Sequence, residues 1–411
     1  MPVTAGHIRG TPEYRRLTLA MLFAGFASFS LLYSLQPLLP LFAEEFRLSA
    51  AESSLAVSIA TGPLAVMILF AGPLSDRFGR RPLMVGAMFA AAALTLATAF
   101  APGWHGLLGL RLLTGVALAG VPAVAMAYIS EEIDPTSVGP AMGLYIAGNA
   151  FGGMVGRLGI AVITDFAGWR WALILVGMVA LGMAEAFRRL APLSHNFTAQ
   201  EIHPARVLTS GRTLFADRAL PLLYAEAFVL MGVFVTLYNY TGFRLMAPPF
   251  DLSHAAIGAV FLLYILGSAS SARFGLLAER HGRRRIFHIP ILLLLGGLVL
   301  TETPWLVTII LGIAVATIGF FGAHSIASSW VGRRALASRG QAAAFYLFFY
   351  YLGSSVLGSV GGMAWTGWGW TGVVAYCAVL TLIALGIAAK LASIPPLPLP
   401  EVTPPRTMGA D

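Results

Sequence analysis

The ten residues Gly72-Pro-Leu-Ser-Asp-Arg-Phe-Gly-Arg-Arg81 join two long apolar runs, and their pattern returns as Gly275-Leu-Leu-Ala-Glu-Arg-His-Gly-Arg-Arg284. Both stretches place a glycine, an acidic residue, a second glycine and paired arginines at the same spacing. A pattern that returns half a chain length later indicates that the chain contains two copies of one unit.

Two further matches support this duplication. A glycine row in the fifth apolar run returns as small residues in the eleventh, and a tryptophan pair before the sixth returns before the twelfth. The matched positions are Gly148, Gly152, Gly156 with Ser354, Gly358, Gly362, and Trp169, Trp171 with Trp368, Trp370. We expect the glycines to allow tight helix packing between the two halves, and the tryptophans to lie in the interfacial belt of a membrane.

The composition indicates that hydrocarbon surrounds the protein. Of 411 residues, 58% are hydrophobic and 11% are charged, and the mean hydropathy is +0.80, whereas soluble domains carry about 25% charged residues. The single cysteine, Cys377, excludes a disulfide framework, a thiolate metal site and a CxxC pair. We therefore expect neither a metal nor another cofactor.

Twelve apolar runs are long enough to cross a bilayer as helices. They cover residues 17–42, 52–73, 83–101, 105–129, 139–163, 169–187, 219–245, 253–277, 286–303, 304–330, 340–365 and 369–392. The sequence thus predicts an all-α membrane protein of two pseudo-symmetric six-helix bundles. The predicted divisions are an N-terminal segment 1–16, bundles 17–187 and 219–392, a linker 188–218 and a Pro-rich tail 393–411.

The basic residues predict the orientation. If alternate loops are assigned to opposite sides, 21 of the 26 basic residues fall on the side of both termini and three, Arg47, Arg170 and Arg244, fall on the other. By the positive-inside rule both termini are cytoplasmic. One cytoplasmic loop is acidic, with Glu131, Glu132 and Asp134. The net charge of +8 is therefore a topology signal, and we expect no nucleic-acid partner.

The loop Gly72–Arg81 resembles the motif G-x-L-a-D-r-x-G-r-r of the major facilitator superfamily, in the position where that family carries it. The stretches 143–149 and 322–330 resemble the YnfM-type bacterial inner-membrane permeases, which are grouped with sugar and drug efflux proteins. The resemblance implies the major facilitator fold, alternating access, a cavity lined by helices 1, 4, 7 and 10, and a location in the bacterial inner membrane.

The resemblance also implies a charge network that holds one conformational state at the cytoplasmic face. Its predicted members are Gly72, Asp76, Arg77, Gly79, Arg80 and Arg81, with Glu279 and Arg283 in the second copy. The alternative is that these arginines only orient the helices in the membrane.

Charged residues inside a span are costly and are therefore candidates for function. Arg111 shares a helix face with Thr114, Gly115, Leu118 and Pro122, and we expect this stripe to face the cavity. The prediction is a role in substrate binding or coupling, and the alternative is a structural ion pair or snorkelling.

The most specific hypothesis from the sequence concerns Glu226 and His324. Glu226 lies ~10 Å inside the cytoplasmic edge of its run and His324 ~9 Å inside the same edge, at about 1.5 Å per residue. Because burial favours the neutral carboxyl, the two groups are expected to exchange a proton across the cavity. The alternative is that each hydrogen-bonds to a neighbouring helix.

Further candidates line the predicted cavity. Arg157 follows the glycine row, and Asn149 replaces the proline of the efflux motif of the family. Polar and aromatic residues in runs 1 and 7 complete the set, namely Tyr33, Gln36, Asn239 and Tyr240. In all of these, packing and interfacial anchoring are the alternatives.

The leading functional prediction is a monomeric, proton-coupled exporter of a small organic molecule. Uptake by the same machine is the first alternative, and a sensor or lipid-handling protein on the same scaffold is the second. An enzyme is disfavoured, because nucleophile-elbow, zinc-protease and phosphate-loop patterns are all absent from the sequence. The substrate and the direction of transport stay open.

Overall fold

A computed structural model describes residues 6–194 and 211–395, and these residues form helices and no β-strand. Ten helices are long and apolar enough to cross a membrane. The 55-residue helix Arg339–Ser393 contains two crossings, because Trp368 and Gly369 leave the helical conformation. The 13-residue helix His288–Leu300 adds a further crossing, so the predicted twelve are present in the described part of the chain.

We number the crossings α1 to α12. Their bounds are α1 Pro12–Leu32 with Leu39–Glu45, α2 Ala50–Phe78, α3 Arg80–Thr98, α4 Trp104–Leu118 with Pro122–Glu132, α5 Val138–Ala167, α6 Trp169–Leu190, α7 Leu220–Met246, α8 His254–Val260 with Tyr264–His281, α9 Arg283–Ile286 with His288–Leu300, α10 Leu306–Arg334, α11 residues 339–367 and α12 residues 370–393.

Four of the crossings are interrupted, and two of the breaks, in α1 and α4, lie at prolines. α1 stops at Leu32 and resumes at Leu39 after a 3-10 turn that contains Pro37, and α4 stops at Leu118 and resumes at Pro122. Proline lacks the backbone N–H that a continuous helix would use and is favoured in the first turn of a helix, although α2 continues through Pro63 and Pro73. The predicted continuous runs 17–42 and 105–129 are therefore interrupted, and the crossings extend a few residues beyond them.

The duplication extends to the backbone. Gly79 and Gly282 both have positive φ, 94° and 86°, where the two copies of the motif turn between helices. Gly168 and Gly369 also have positive φ, 83° and 59°, before α6 and α12. A side chain rarely tolerates this conformation, so glycine fixes the same turn at the same place in each copy.

The two bundles, α1 to α6 and α7 to α12, meet along α2 with α11 and along α5 with α8. We call the side that carries residues 72–81 the motif face and the opposite side the far face. The contacts between the bundles include Ser54 and Ser58 with Ser359, in the far half. Toward the motif face, α5, α8 and α10 line an open cavity of about 530 Å³.

The α5 glycine row packs inside one bundle rather than between the two, which corrects the sequence prediction. A Cβ on Gly148 would lie 2.5 Å from the carbonyl oxygen of Leu22, and a Cβ on Gly152 would lie 2.2 Å from that of Phe26. Both contacts are with α1. The glycines therefore let α1 and α5 touch backbone to backbone.

The four tryptophans of the predicted belt differ in exposure. Trp171 and Trp368 are exposed, whereas Trp169 and Trp370 are buried and donate hydrogen bonds to Glu45 and Thr301. Residues two apart at a helix start point to different sides, so one tryptophan of each pair is buried and the other stays a predicted belt residue. Of the predicted linker and tail, residues 195–210 and 396–411 lie outside the described residues.

Candidate transport site and gates

The motif face carries the predicted charge network, with one member that the sequence analysis did not assign to it. Arg80 is buried and binds Asp76 at 2.6 Å and Glu131 at 2.7 Å. The Arg80 guanidinium also donates to the hydroxyl of Ser75. The acidic loop that broke the positive-inside pattern thus supplies Glu131 as the partner of a motif arginine.

The two other arginines of the motif, Arg77 and Arg81, make different contacts. Arg77 is exposed and lies over the ring of Phe78. Arg81 donates to the backbone carbonyls of Arg188 and Ala191, at 2.6 and 2.9 Å, and so ties α3 to the end of α6. This contact supports the structural alternative for Arg81.

The second copy of the motif uses different pairs. Glu279 binds Arg333 at 3.0 Å, at the end of α10. Arg283 donates to the hydroxyl of Ser329 at 3.4 Å. In the first copy, Glu131 of α4 pairs with the motif arginine Arg80. In the second copy, Arg333 of α10 pairs with the motif acid Glu279.

Asp217 ties the start of α7 to the end of α10. Its Oδ1 accepts from the backbone N–H groups of Ala219 and Leu220 and from Nε of Arg334 at 2.6 Å. Partial burial acts to raise the pKa of Asp217, but these donors outweigh it and hold the pKa below its usual value.

The far face has a clasp between the bundles. Asp165, near the end of α5, accepts from the backbone N–H of His254 at 3.2 Å and of Ala255 at 2.8 Å, and its Oδ1 lies 3.0 Å from Nδ1 of His254. The carboxylate therefore meets the first turn of α8, where free N–H groups and the helix dipole favour negative charge.

We expect Asp165→Ala to shift the population toward a far-open state by about tenfold, because it removes hydrogen bonds to a charged group worth roughly 1.5–3 kcal/mol. Ser54 is fully buried in the far interface and is nearly isosteric with cysteine. In a Cys377→Ser background, Ser54→Cys should react faster with a membrane-impermeant maleimide when Asp165→Ala is present. Glu44→Ala, on the same face, is the matched control, and equal rates in the two variants would contradict the clasp.

Arg111 does not face the cavity. Its Nε donates to the carbonyl of Ala56 at 3.1 Å, Nη1 to that of Leu31 at 3.0 Å and Nη2 to that of Leu32. Leu31 and Leu32 end the first part of α1, where carbonyls have lost their partners within the helix. The predicted stripe packs on α2, since a Cβ on Gly115 would lie 2.0 Å from the carbonyl oxygen of Ala60.

We expect Arg111→Gln to lower stability by about 3 kcal/mol or more, because buried carbonyls left without a donor cost about 1–3 kcal/mol each. The readout is the temperature at which the detergent-purified protein loses its monodisperse elution peak. Arg244→Gln, which removes an arginine that reaches the carbonyl of Thr303, is the control. Lost transport at unchanged stability would instead favour the substrate role predicted from sequence.

Arg157 begins a chain of hydrogen bonds that crosses from one bundle to the other. Its Nε donates to Oε1 of Gln36 at 2.7 Å, and its Nη1 donates to the carbonyl of Gly153 at 2.6 Å. Nε2 of Gln36 then donates to Oδ1 of Asn239 in α7 at 2.8 Å. The structure thus brings together three predicted residues that lie far apart in the sequence.

Aromatic rings surround the Arg157 guanidinium. The rings of Tyr33, Phe261 and Tyr264 have their centres 4.5, 5.1 and 5.2 Å from its central carbon. Tyr33 also lies 3.4 Å from the hydroxyl of Ser354 in α11. The cage is made by both bundles, and cation–π contacts partly replace the water that the charge has lost.

The remaining predicted cavity residues pack elsewhere. Tyr240 donates to the carbonyl of Gly358 at 3.0 Å and so binds α11. Asn149 packs against α1, where a Cβ on Gly25 would lie 2.5 Å from Oδ1 of Asn149. The asparagine therefore occupies a helix–helix contact.

Glu226 and His324 both lie near Tyr346 of α11. The Tyr346 hydroxyl is 2.9 Å from Nδ1 of His324, and it interacts electrostatically with Glu226. Glu226 is fully buried, and neither of its carboxyl oxygens has a hydrogen-bond partner among the described residues. The direct Glu226–His324 contact is not formed here, and proton exchange between them stays a prediction.

Sequence reasoning did not assign several residues of these sites. Tyr346, Phe261 and Tyr264 belong to aromatic runs that look like lipid-facing or packing residues, and no periodicity distinguishes them. Asp165 is one acidic residue at a helix end. Glu131 had a usable signal in the sequence, since it makes a loop on the predicted cytoplasmic side acidic.

Two bundles of membrane-spanning helices with polar groups and charges buried between them are typical of a polytopic membrane transporter. The sequence profile of the Major Facilitator Superfamily matches residues 21–248 and 229–408, so the chain belongs to that superfamily. It is a membrane transporter and not an enzyme.

Curated relatives agree with this assignment. The chain is 46% identical to the inner membrane transport protein YnfM of Escherichia coli K12 over 93% of this chain and 92% of the relative. It is 42% identical to the uncharacterized MFS-type transporter YybF of Bacillus subtilis 168 over 93% and 95%.

Solved structures share the fold. A bacterial homologue of the human lysosomal transporter Spinster superposes with a TM-score of 0.72 at 16% identity, covering 93% of this chain and 97% of that one. A variant of the nucleoside transporter NupG gives a TM-score of 0.72 at 17% identity, covering 92% and 98%.

Proposed function

We propose that the protein is a proton-coupled exporter of a small organic molecule in the bacterial inner membrane, with both termini in the cytoplasm. It works by alternating access, with the motif face on the cytoplasmic side. The observation that carries the coupling is the isolated carboxyl of Glu226, which lies buried without a hydrogen-bond partner among the described residues. A charge in such a place is costly, so the group is suited to carry a proton.

The relay consists of Glu226, Tyr346 and His324. The Tyr346 hydroxyl lies 2.9 Å from Nδ1 of His324, and Tyr346 interacts electrostatically with Glu226 without a hydrogen bond to it. Glu226 belongs to α7, His324 to α10 and Tyr346 to α11. All three helices belong to the second bundle, so a rearrangement of these helices relative to one another would change the spacing of the relay and tie proton transfer to conformation.

The described conformation is consistent with the state of an alternating-access cycle that opens toward the cytoplasm. The Asp165 clasp and the serines of α2 and α11 join the bundles at the far face, while the cavity of about 530 Å³ lies toward the motif face. The basic residues of the motif face favour the cytoplasmic side for it.

The test is flux in proteoliposomes with an imposed pH gradient and a panel of organic compounds. Accumulation that follows the gradient and stops when an ionophore collapses it supports the proposal, and gradient-independent flux contradicts coupling. Cells with and without the gene then give the direction. Higher internal substrate in cells without the gene supports export, and the reverse supports the uptake alternative.

A further inference from the structure

We propose that Arg157 binds the carboxylate of the substrate, and that the substrate class is a small organic acid with an apolar body. This inference rests on the proposed function only in taking the chain as a transporter of small molecules. It comes from an excess of hydrogen-bond donors at one place between the bundles.

The hydrogen-bond chain has only one consistent direction. Arginine can only donate, so the atom of Gln36 that faces Arg157 must be its oxygen. The amide nitrogen of Gln36 then faces Asn239, which must present its own oxygen. This leaves Nδ2 of Asn239 as a buried donor, and it has no partner among the described residues.

Arg157 is itself incompletely paired. It is 4% exposed, and in the described ranges 6–194 and 211–395 its hydrogen bonds go to the oxygens of Gln36 and Gly153, with no carboxylate beside the charge. Arg111 is the internal comparison, because carbonyls occupy all three of its nitrogens. A buried charge without an ion-pair partner is costly, and an incoming anion relieves that cost.

The cavity ends within one helical turn of this position, and the Tyr264 ring separates the two. Ser268 and Phe321 line the cavity, and Ser268 lies one helical turn from Tyr264, whose ring packs on the Arg157 guanidinium. The ring of Phe321 lies 5.6 Å from that of Tyr264. Movement of the Tyr264 ring would therefore open a path from the cavity to Arg157.

The surroundings specify the rest of the ligand. The walls next to the guanidinium are the rings of Tyr33, Phe261 and Tyr264, which favour an apolar or aromatic body. Arg157 and Tyr33 belong to the first bundle, and Phe261 and Tyr264 to the second. A bound acid thus contacts both bundles and can couple its presence to their separation.

The experiment measures thermal stabilisation of the detergent-purified protein by matched compounds that differ only in charge. The probes are benzoate, benzamide and benzylamine, and hexanoate, hexanamide and hexylamine. We expect a saturable rise in melting temperature with at least one acid and none with its amide or amine. Equal shifts with an amide or amine, or no acid-selective shift in either series, would overturn the proposal.

Two substitutions at the proposed site and one outside it test whether the acid binds at Arg157. Arg157→Gln should raise the dissociation constant of the acid by ~30-fold or more, as expected when one partner of a buried charge pair is removed. Arg244→Gln, outside the site, should leave it unchanged. Asn239→Asp is a nearly isosteric second variant that places an acceptor where the free donor was, and it too should abolish the acid-selective shift.

Retention of acid binding by both site variants would overturn the proposal. The binding measurement needs no proton gradient, so a failure of the acid-binding proposal can be distinguished from a failure of the proposed function. Acid binding in a protein whose flux ignores the pH gradient would contradict proton coupling alone.

Discussion

Glu226→Gln is expected to reduce proton-driven accumulation by roughly 100-fold or more, the lower end of what a positioned proton-transfer group contributes. Glutamine keeps the shape of the side chain and cannot release a proton. Glu226 is fully buried with both oxygens unpartnered among the described residues, so the substitution disrupts no described hydrogen bond. The measurement is uptake or efflux in proteoliposomes with and without an imposed pH gradient.

The same variant should retain exchange of substrate down its own gradient, because exchange requires no net proton movement. Retained exchange shows that the protein is folded and that binding survives. Glu185→Gln is the matched control, since Glu185 pairs with Arg188 and Arg189 at the end of α6. If Glu226→Gln keeps gradient-driven flux at the wild-type rate, the relay is wrong.

Gly152→Val is expected to cost about 3 kcal/mol or more, the upper range for inserting atoms into a packed contact. A Cβ at this position would lie 2.2 Å from the carbonyl oxygen of Phe26. The obstacle is backbone and cannot rotate away, so α1 and α5 must separate along their length. The readout is the yield and melting temperature of monodisperse protein.

Gly159→Val in the same helix is the control. A Cβ there meets nothing within 4 Å, and valine has the same effect on helix propensity at either site. We therefore expect a change of at most about 1 kcal/mol. Equal losses in the two variants would mean that the α1–α5 contact does not depend on the glycine row.

The proposed alternating access would give a physical reason for having two charge systems. The Asp165 clasp joins the bundles at the far face, whereas the network of Asp76, Arg80 and Glu131 lies within the first bundle. The motif-face network therefore makes no contact that a parting of the bundles at that face would break. Opening the far face requires the clasp to break, so its strength helps set the balance between the two states.

Part of the candidate site was predictable from local signals. Arg111, Arg157 and Glu226 are rare charges in apolar runs, and their cost in a membrane identified all three as exceptional. Their roles were not predictable in the same way. Arg111 occupies its nitrogens with carbonyls at a helix break, whereas Arg157 does not. Whether a helix breaks, and which carbonyls it exposes, depends on contacts between distant segments.

The sequence by itself determined the fold class and the duplicated twelve-helix plan, because the length of an apolar run and the position of the motif glycines are local properties of the chain. Only the tertiary structure decided that Glu131 pairs with Arg80, that the Tyr346 hydroxyl meets His324, and that Arg157 reaches Asn239 through Gln36. The physical reason is that a hydrogen bond needs its two atoms within about 3 Å, and such a distance follows from how helices pack rather than from the order of their residues.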